Sequence, residues 1–243
     1  MPTALMKGRV LIAEDEASLR NLIEMGLAAN HYEVLATANG REALDVFMAE
    51  RDNIDVVILD IMMPELDGFS TLEEIRKVSE VPVVMLTALG TSDDVVKGFQ
   101  MGADDFVVKP FTLREVIARL DAIRRRRQWL KQPALQPRQY RSGSLFLDVE
   151  THLLYVDGRD CHVTPIEFNL LRYFMSHPGQ VIGKKELLRE VWGYEFEGST
   201  NLIEVGVRRL REKVEKDPSQ PTLIRTMRGV GYKFHSLPPS EAA

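Results

Sequence analysis

The sequence predicts a doubly wound α/β domain on a five-stranded parallel sheet, followed by a smaller α+β domain. Three observations carry this. Residues 1–127 alternate short apolar runs with stretches whose apolar residues recur every three or four positions. The segment QWLKQPALQPRQYR (128–141) loses that period and contains Pro133 and Pro137. Beyond it, short strand-like runs precede three helical patterns and a closing ribbon. The expected division is therefore a first domain over 1–127, a linker over 128–139, a second domain over 140–236 and a tail over 237–243.

In the first half the expected strands are Val10–Ala13, Glu33–Ala38, Asp55–Leu59, Pro82–Leu86 and Asp105–Val108. Leu19, Leu22, Ile23 and Leu27 mark a helix after the first strand. Thr112 and Glu115 form a capping-box pattern ahead of Val116, Ile117, Leu120 and Ile123. Arg124 to Arg127 read as a cationic last turn of that helix, where positive charge complements the dipole.

In the second half the strand-like runs are Ser144–Asp148, His152–Val156 and Arg159–Val163, with Asp157-Gly158 as a hairpin turn. Thr164, Pro165 and Glu167 combine an N-cap, an N1 proline and a capping-box acid. Helices are expected over about 165–176, 184–191 and 200–216, then a ribbon of Thr222–Met227 and Val230–His235 turning at Arg228-Gly229.

Charge is unevenly divided. Residues 1–127 hold 15 Lys/Arg and 22 Asp/Glu (15 − 22 = −7), and the remainder 16 and 14 (+2), summing to −5. An acidic half joined to a mildly basic one suggests two different partners. The single cysteine, Cys161, excludes an internal disulfide and reads as a small buried residue on a strand. With no signal peptide pattern and no spanning apolar run, the expectation is a cytoplasmic protein with no membrane partner.

The stretch VVILD places Asp60 directly after four apolar residues. In doubly wound folds the functional crevice lies at the carboxyl ends of the strands. Those ends carry Glu14, Asp15 and Glu16, then Asp60, Thr87 and Lys109. Clustered carboxylates repel unless a cation joins them, and oxygen donors without His or Cys favour Mg²⁺, with Mn²⁺ as the alternative. A carboxylate beside such an ion, a hydroxyl and an ammonium is a site for receiving a phosphoryl group. Singly, each residue has a plainer reading as a cap or solvated charge; four strand ends together do not.

The segments LIAEDE, ILDIMMPELDG, VVMLTA and DDFVVKPF resemble those of a two-component response-regulator receiver domain of the flavodoxin/CheY-like fold. The resemblance implies that Asp60 accepts phosphate from a sensor histidine kinase. It implies that Glu14, Asp15, Asp60 and the backbone carbonyl of Met62 surround Mg²⁺, and that Thr87, Phe106 and Lys109 form the switch. Phe106 replaces the tyrosine usual there, and Val95 replaces an arginine that pairs with the acid at Glu115 in a dimer. Asp104, Asp105, Glu115 and Arg119 remain as dimer-interface candidates.

The third helix of the second half carries Arg208, Arg209, Arg211 and Lys213 beside an apolar side. Such a helix suits a DNA major groove, although Glu204, Glu212 and Glu215 dilute its charge. The segments VTPIEFNLL, GQVIGKKELL, VRRLREKV and IRTMRGVGYKF resemble the winged helix-turn-helix domain of OmpR/PhoB-type regulators. That resemblance puts Arg208, Arg209 and Arg211 on the recognition helix, Thr226 on a phosphate and Arg228 in the minor groove. It assigns residues 192–199 to contact with RNA polymerase. Asn201 and Gly206 replace an arginine and a histidine common there, and Gly206 either admits a phosphate closely or loosens the helix. The function implied is a phosphorylation-switched transcription regulator acting as a dimer on repeated promoter half-sites. Two rivals remain: a Mg²⁺-dependent phosphohydrolase with Asp60 as nucleophile, and a DNA-binding protein that no longer needs phosphate.

Overall fold

The computed structural model describes residues 6–88, 97–129, 137–193 and 201–238, and the chain divides into two compact units, 1–121 and 122–243. In the first unit, β1 (Gly8–Ala13), β2 (Tyr32–Thr37), β3 (Val56–Asp60), β4 (Val83–Thr87) and β5 (Asp105–Val108) form one parallel sheet in the order β2-β1-β3-β4-β5. The strands β3 and β4 are buried along their whole length, which is why both read as unbroken apolar runs. Around the sheet run α1 (Ala17–Ala29), α2 (Gly40–Glu50), α3 (Gly68–Arg76) and α4 (Leu113–Trp129), and residues 97–100 are also helical. The strand order reverses direction between β1 and β3, so the switch point falls between the ends that carry Glu14 and Asp60.

Helix starts follow their local chemistry. Asn39 Oδ1 accepts from the Glu42 amide at 2.8 Å to begin α2, and Asp67 Oδ1 from the Ser70 amide at 2.7 Å to begin α3. The helix α4 continues to Trp129, so the arginine run extends through its final two turns and the expected linker starts inside the helix.

The second unit begins with the antiparallel sheet β6 (Gln139–Ser142), β7 (Leu145–Asp148), β8 (Leu153–Val156) and β9 (Arg159–Asp160). The helix α5 (Pro165–Ser176), strand β10 (Val181–Gly183) and short α6 (Lys184–Leu187) follow, the last running into a π-type turn over Leu188–Trp192. Then come α7 (Asn201–Val214), β11 (Ile224–Met227) and β12 (Gly231–Phe234).

Three expectations need correction. Gln139–Ser142 belongs to a strand rather than to the end of an irregular stretch: Tyr140 and Ser142 point inward and Gln139 and Arg141 outward. Four residues of period two are easily lost beside Pro137. The run expected over 159–163 is a strand only at Arg159-Asp160, and Cys161, whose amide donates to the Leu154 carbonyl, is half-buried rather than buried. The strand β10 went unanticipated because three residues carry no period; it pairs with β12 in the order β10-β12-β11. Gly231 makes that pairing feasible, since a Cβ there would lie 1.9 Å from the Ile182 carbonyl oxygen. The Asp157-Gly158 hairpin turn is present, with φ of 51° and 74° at its two residues.

Candidate functional site

The carboxyl ends of β1, β3 and β5 bring three predicted residues into direct contact. Lys109 Nζ donates to Asp60 Oδ2 at 2.8 Å and to Glu14 Oε2 at 2.8 Å. Glu14 is fully buried and Asp60 is 4 % exposed, while Asp15 stands in solvent beside them. One carboxylate oxygen from each of Glu14, Asp15 and Asp60 lies within 4.8 Å of the others. Burial pushes the Glu14 carboxyl above its usual range and the Asp60 charge adds to this, partly offset by the bond from Lys109. Burial pulls the Lys109 ammonium down, but its bonds to Asp60 and Glu14 outweigh that and leave it raised.

Three acids against one lysine leave an excess of two negative charges, so the donor set fits a hard divalent cation. Arg20 steadies the acidic loop, its Nη1 donating to the Glu14 carbonyl at 2.7 Å and the Asp15 carbonyl at 3.2 Å. The Met62 side chain is exposed.

Thr87 is fully buried at the end of β4, and its carbonyl accepts from the Lys109 amide at 2.7 Å. Phe106 is buried, with its ring 4.5 Å from that of Phe99. Its room comes from Gly98, where a Cβ would stand 2.4 Å from Phe106 Cζ. The Lys109-Pro110 peptide bond is cis. Gly68 also belongs to the site. A Cβ there would fall 2.0 Å from the Asp60 carbonyl oxygen, so α3 can start against β3 only at glycine.

The dimer-interface candidates are paired within the unit. Arg76 Nη2 bonds Asp104 Oδ2 at 2.9 Å, and Arg119 Nη1 bonds Asp105 Oδ1 at 2.9 Å. Asp104, Asp105 and Arg119 are buried, whereas Glu115, held by Arg119 Nη2 at 2.8 Å, reaches the surface. Exposing those buried charges to a second chain would first require breaking pairs that sit out of water. Val95 lies outside the described residues.

On α7 the cations have separate duties. Arg208 is exposed and, among the described residues, bonds Glu212 at 3.1 Å, a surface pair of about 0–1 kcal/mol that a DNA phosphate or base edge can displace. Arg209 is 8 % exposed and bonds the fully buried Glu167 at 2.6 Å. It serves the domain's interior, which corrects its assignment as a DNA contact. Lys213 takes the other Glu167 oxygen at 2.6 Å, and the Thr164 amide donates to that same oxygen at 2.8 Å. Arg211 turns to β11, and Thr226 and Arg228 are exposed on the wing. Gly206 is corrected as well. It is buried, and a Cβ would meet Trp192 at 3.2 Å and Leu170 at 3.6 Å, so this glycine accommodates the indole rather than a phosphate. Residues 194–199 of the expected polymerase loop lie outside the described residues.

Comparison with known proteins agrees with both halves of this reading. Residues 10–121 match the response regulator receiver domain, and residues 158–234 match the C-terminal domain of transcriptional regulatory proteins. A probable transcriptional regulator ycf27 of Guillardia theta is 43% identical over 238 residues, covering 95% of this chain and 92% of that protein. Its counterpart in Porphyridium aerugineum is 40% identical over 237 residues, with 96% and 98% covered. A solved cysteine mutant of RitR superposes with a TM-score of 0.75 at 28% identity, covering 94% of this chain and 99% of that one. These relatives are regulators rather than enzymes, which decides against the phosphohydrolase reading. No helix among the described residues is long and apolar enough to cross a membrane. The chain belongs to the family of transcriptional response regulators that join a receiver domain to a C-terminal DNA-binding domain.

Proposed function

We propose that Asp60 is the phosphoacceptor and that a sensor histidine kinase is its donor. An Asp60 carboxylate oxygen forms the bond to phosphorus as the phosphorus–nitrogen bond of the donor histidine breaks, leaving the electron pair on the imidazole. The observation that carries this reading is Lys109 held at 2.8 Å from both Glu14 and Asp60, with Asp15 completing an acidic group within 4.8 Å. Glu14, Asp15, Asp60 and the Met62 carbonyl are the residues to hold Mg²⁺, which when bound neutralises phosphoryl oxygens. Lys109 exchanges its bond to Asp60 for one to the phosphoryl group, and the Thr87 hydroxyl turns toward the same oxygens. Phe106 and the face formed by β5, residues 97–100 and α4 respond, and that altered face favours a homodimer. Differential affinity of the dimer for the phosphorylated state is sufficient to drive the change.

In the second unit Arg208 reads the major groove, Thr226 meets a phosphate and Arg228 enters the minor groove of promoter DNA, with residues 192–199 left to RNA polymerase. Incubation with acetyl phosphate and Mg²⁺, followed by intact mass and chromatographic size, tests the receiver chemistry. A Mg²⁺-dependent adduct in the wild type and none in Asp60→Ala is expected, with a shift to dimer. Promoter occupancy unchanged by Asp60→Ala would instead mark a regulator that no longer uses phosphate, a reading that Phe106, lacking the usual hydroxyl, keeps in view.

A further inference from the structure

Arg211 stands on α7 but is bound entirely to the wing. Its Nε and Nη2 donate to the Ile224 carbonyl at 2.9 and 2.6 Å, and Nη2 also donates to Thr226 Oγ1 at 2.8 Å. The guanidinium lies 5.7 Å from the centroid of the Tyr232 ring on β12. Burial draws the Arg211 guanidinium below its usual value, which still leaves it charged at neutral pH, and burial raises the Tyr232 phenol, which stays neutral. One side chain thus joins α7, β11 and β12.

We propose that Arg211 is a positioning residue for DNA binding: it fixes the wing against the recognition helix and orients the Thr226 hydroxyl as a donor to a phosphate oxygen. This rests on the reading that α7 and the wing bind DNA. A hydroxyl carries one proton and two lone pairs, whereas a guanidinium has donors and no acceptor. With Arg211 occupying a lone pair of Oγ1, the Thr226 proton cannot serve that bond and is left for another acceptor. The rigid fork also spans Ile224 and Thr226, so it sets both the height and the rotation of β11. Arg208 differs: it is exposed, and its surface pair with Glu212 leaves it able to neutralise a phosphate itself.

The test uses the full chain and a duplex selected by the wild-type protein from a random pool. Affinity is measured at several salt concentrations for wild type, Arg211→Met, Thr226→Val and the double variant. Each single change should weaken binding about tenfold, the size of one lost charge-assisted or oriented hydrogen bond. The double variant should lose no more than the weaker single, and the salt slope should stay at its wild-type value throughout. In a Thr226→Ser background Arg211→Met should weaken binding again, because the hydroxyl has returned. A slope shallower by about 0.9 in Arg211→Met would show the guanidinium itself neutralising a phosphate and overturn the proposal. So would losses that multiply. If Arg211→Met fails to melt cooperatively, Arg211→Lys replaces it, keeping charge without the fork; undiminished affinity there overturns the proposal. A wild-type protein that selects no duplex overturns the DNA-binding reading and the positioning role with it.

Discussion

Each half of the molecule buries a small cluster of opposite charges, and the two are built to different ends. In the receiver, the acids Glu14 and Asp60 share one lysine, Lys109, with Asp15 beside them. In the DNA-binding unit a single acid, Glu167, takes two cations, Arg209 and Lys213, and the Thr164 amide besides. The first cluster carries surplus negative charge and one solvent-exposed member, so a cation from outside would complete it. The second is satisfied by its own chain. Buried ion pairs alone therefore do not mark a site; the sign and size of the imbalance do.

The same substitution should have opposite effects in the two clusters. Glu167→Gln leaves Arg209 and Lys213 facing an amide. It should destabilise the DNA-binding unit by about 3 kcal/mol, near the low end for a broken buried pair because Lys213 is 28% exposed, as read by urea unfolding. A loss below about 1 kcal/mol would erase the distinction drawn here.

Gly68→Ala comes next. Its methyl would collide with the Asp60 carbonyl, and a loss of about 1–3 kcal/mol is expected together with weaker labelling by acetyl phosphate. Retained labelling at wild-type stability would mean that α3 can start elsewhere. Arg208→Ala should lower DNA affinity by about 1–3 kcal/mol and flatten the salt slope by about 0.9, with the thermal midpoint almost unmoved. Destabilisation without a slope change would place Arg208 with the interior cations instead.

A small stability effect is expected for Glu14→Gln as well. Burial raises the folded-state pKa of Glu14, so its ionised form opposes folding: the opposition is full above that pKa, shrinks as pH falls from there toward the unfolded value, and is gone below it. Removing the charge should leave stability at pH 7 unchanged or slightly higher, within about 1 kcal/mol, while calorimetry shows Mg²⁺ affinity falling at least about tenfold. A large loss of stability would make Glu14 a partner of Lys109 first and an ion ligand second.

What was legible in the sequence follows from distance along the chain. Asp60 and Lys109 could be found because each ends an apolar strand, and strand ends converge in any doubly wound sheet. The Thr164–Glu167 cap was readable because its two partners are three residues apart. The fate of the remaining charges was not. The resemblance offers Asp104 as a dimer-interface candidate, but it is claimed by Arg76, 28 residues earlier. Arg209 and Arg211 differ by two positions and turn to opposite tasks, one toward Glu167 and the other toward β11. Helical periodicity gives the direction of a side chain and leaves its partner to tertiary packing. The role of Gly206 likewise depends on where Trp192 arrives.

The triple duty of Glu167 has a consequence for the order of assembly. Its carboxylate begins α5 through the Thr164 amide and receives two cations from α7. Until α7 has docked, that helix start leaves an acid in a site that becomes wholly dry, and until α5 has formed, Arg209 has nowhere to go. Neither helix is a finished intermediate for the other, so the helix-turn-helix core should appear in a single kinetic phase. A chain interrupted between the two helices should leave no protected half behind in hydrogen exchange.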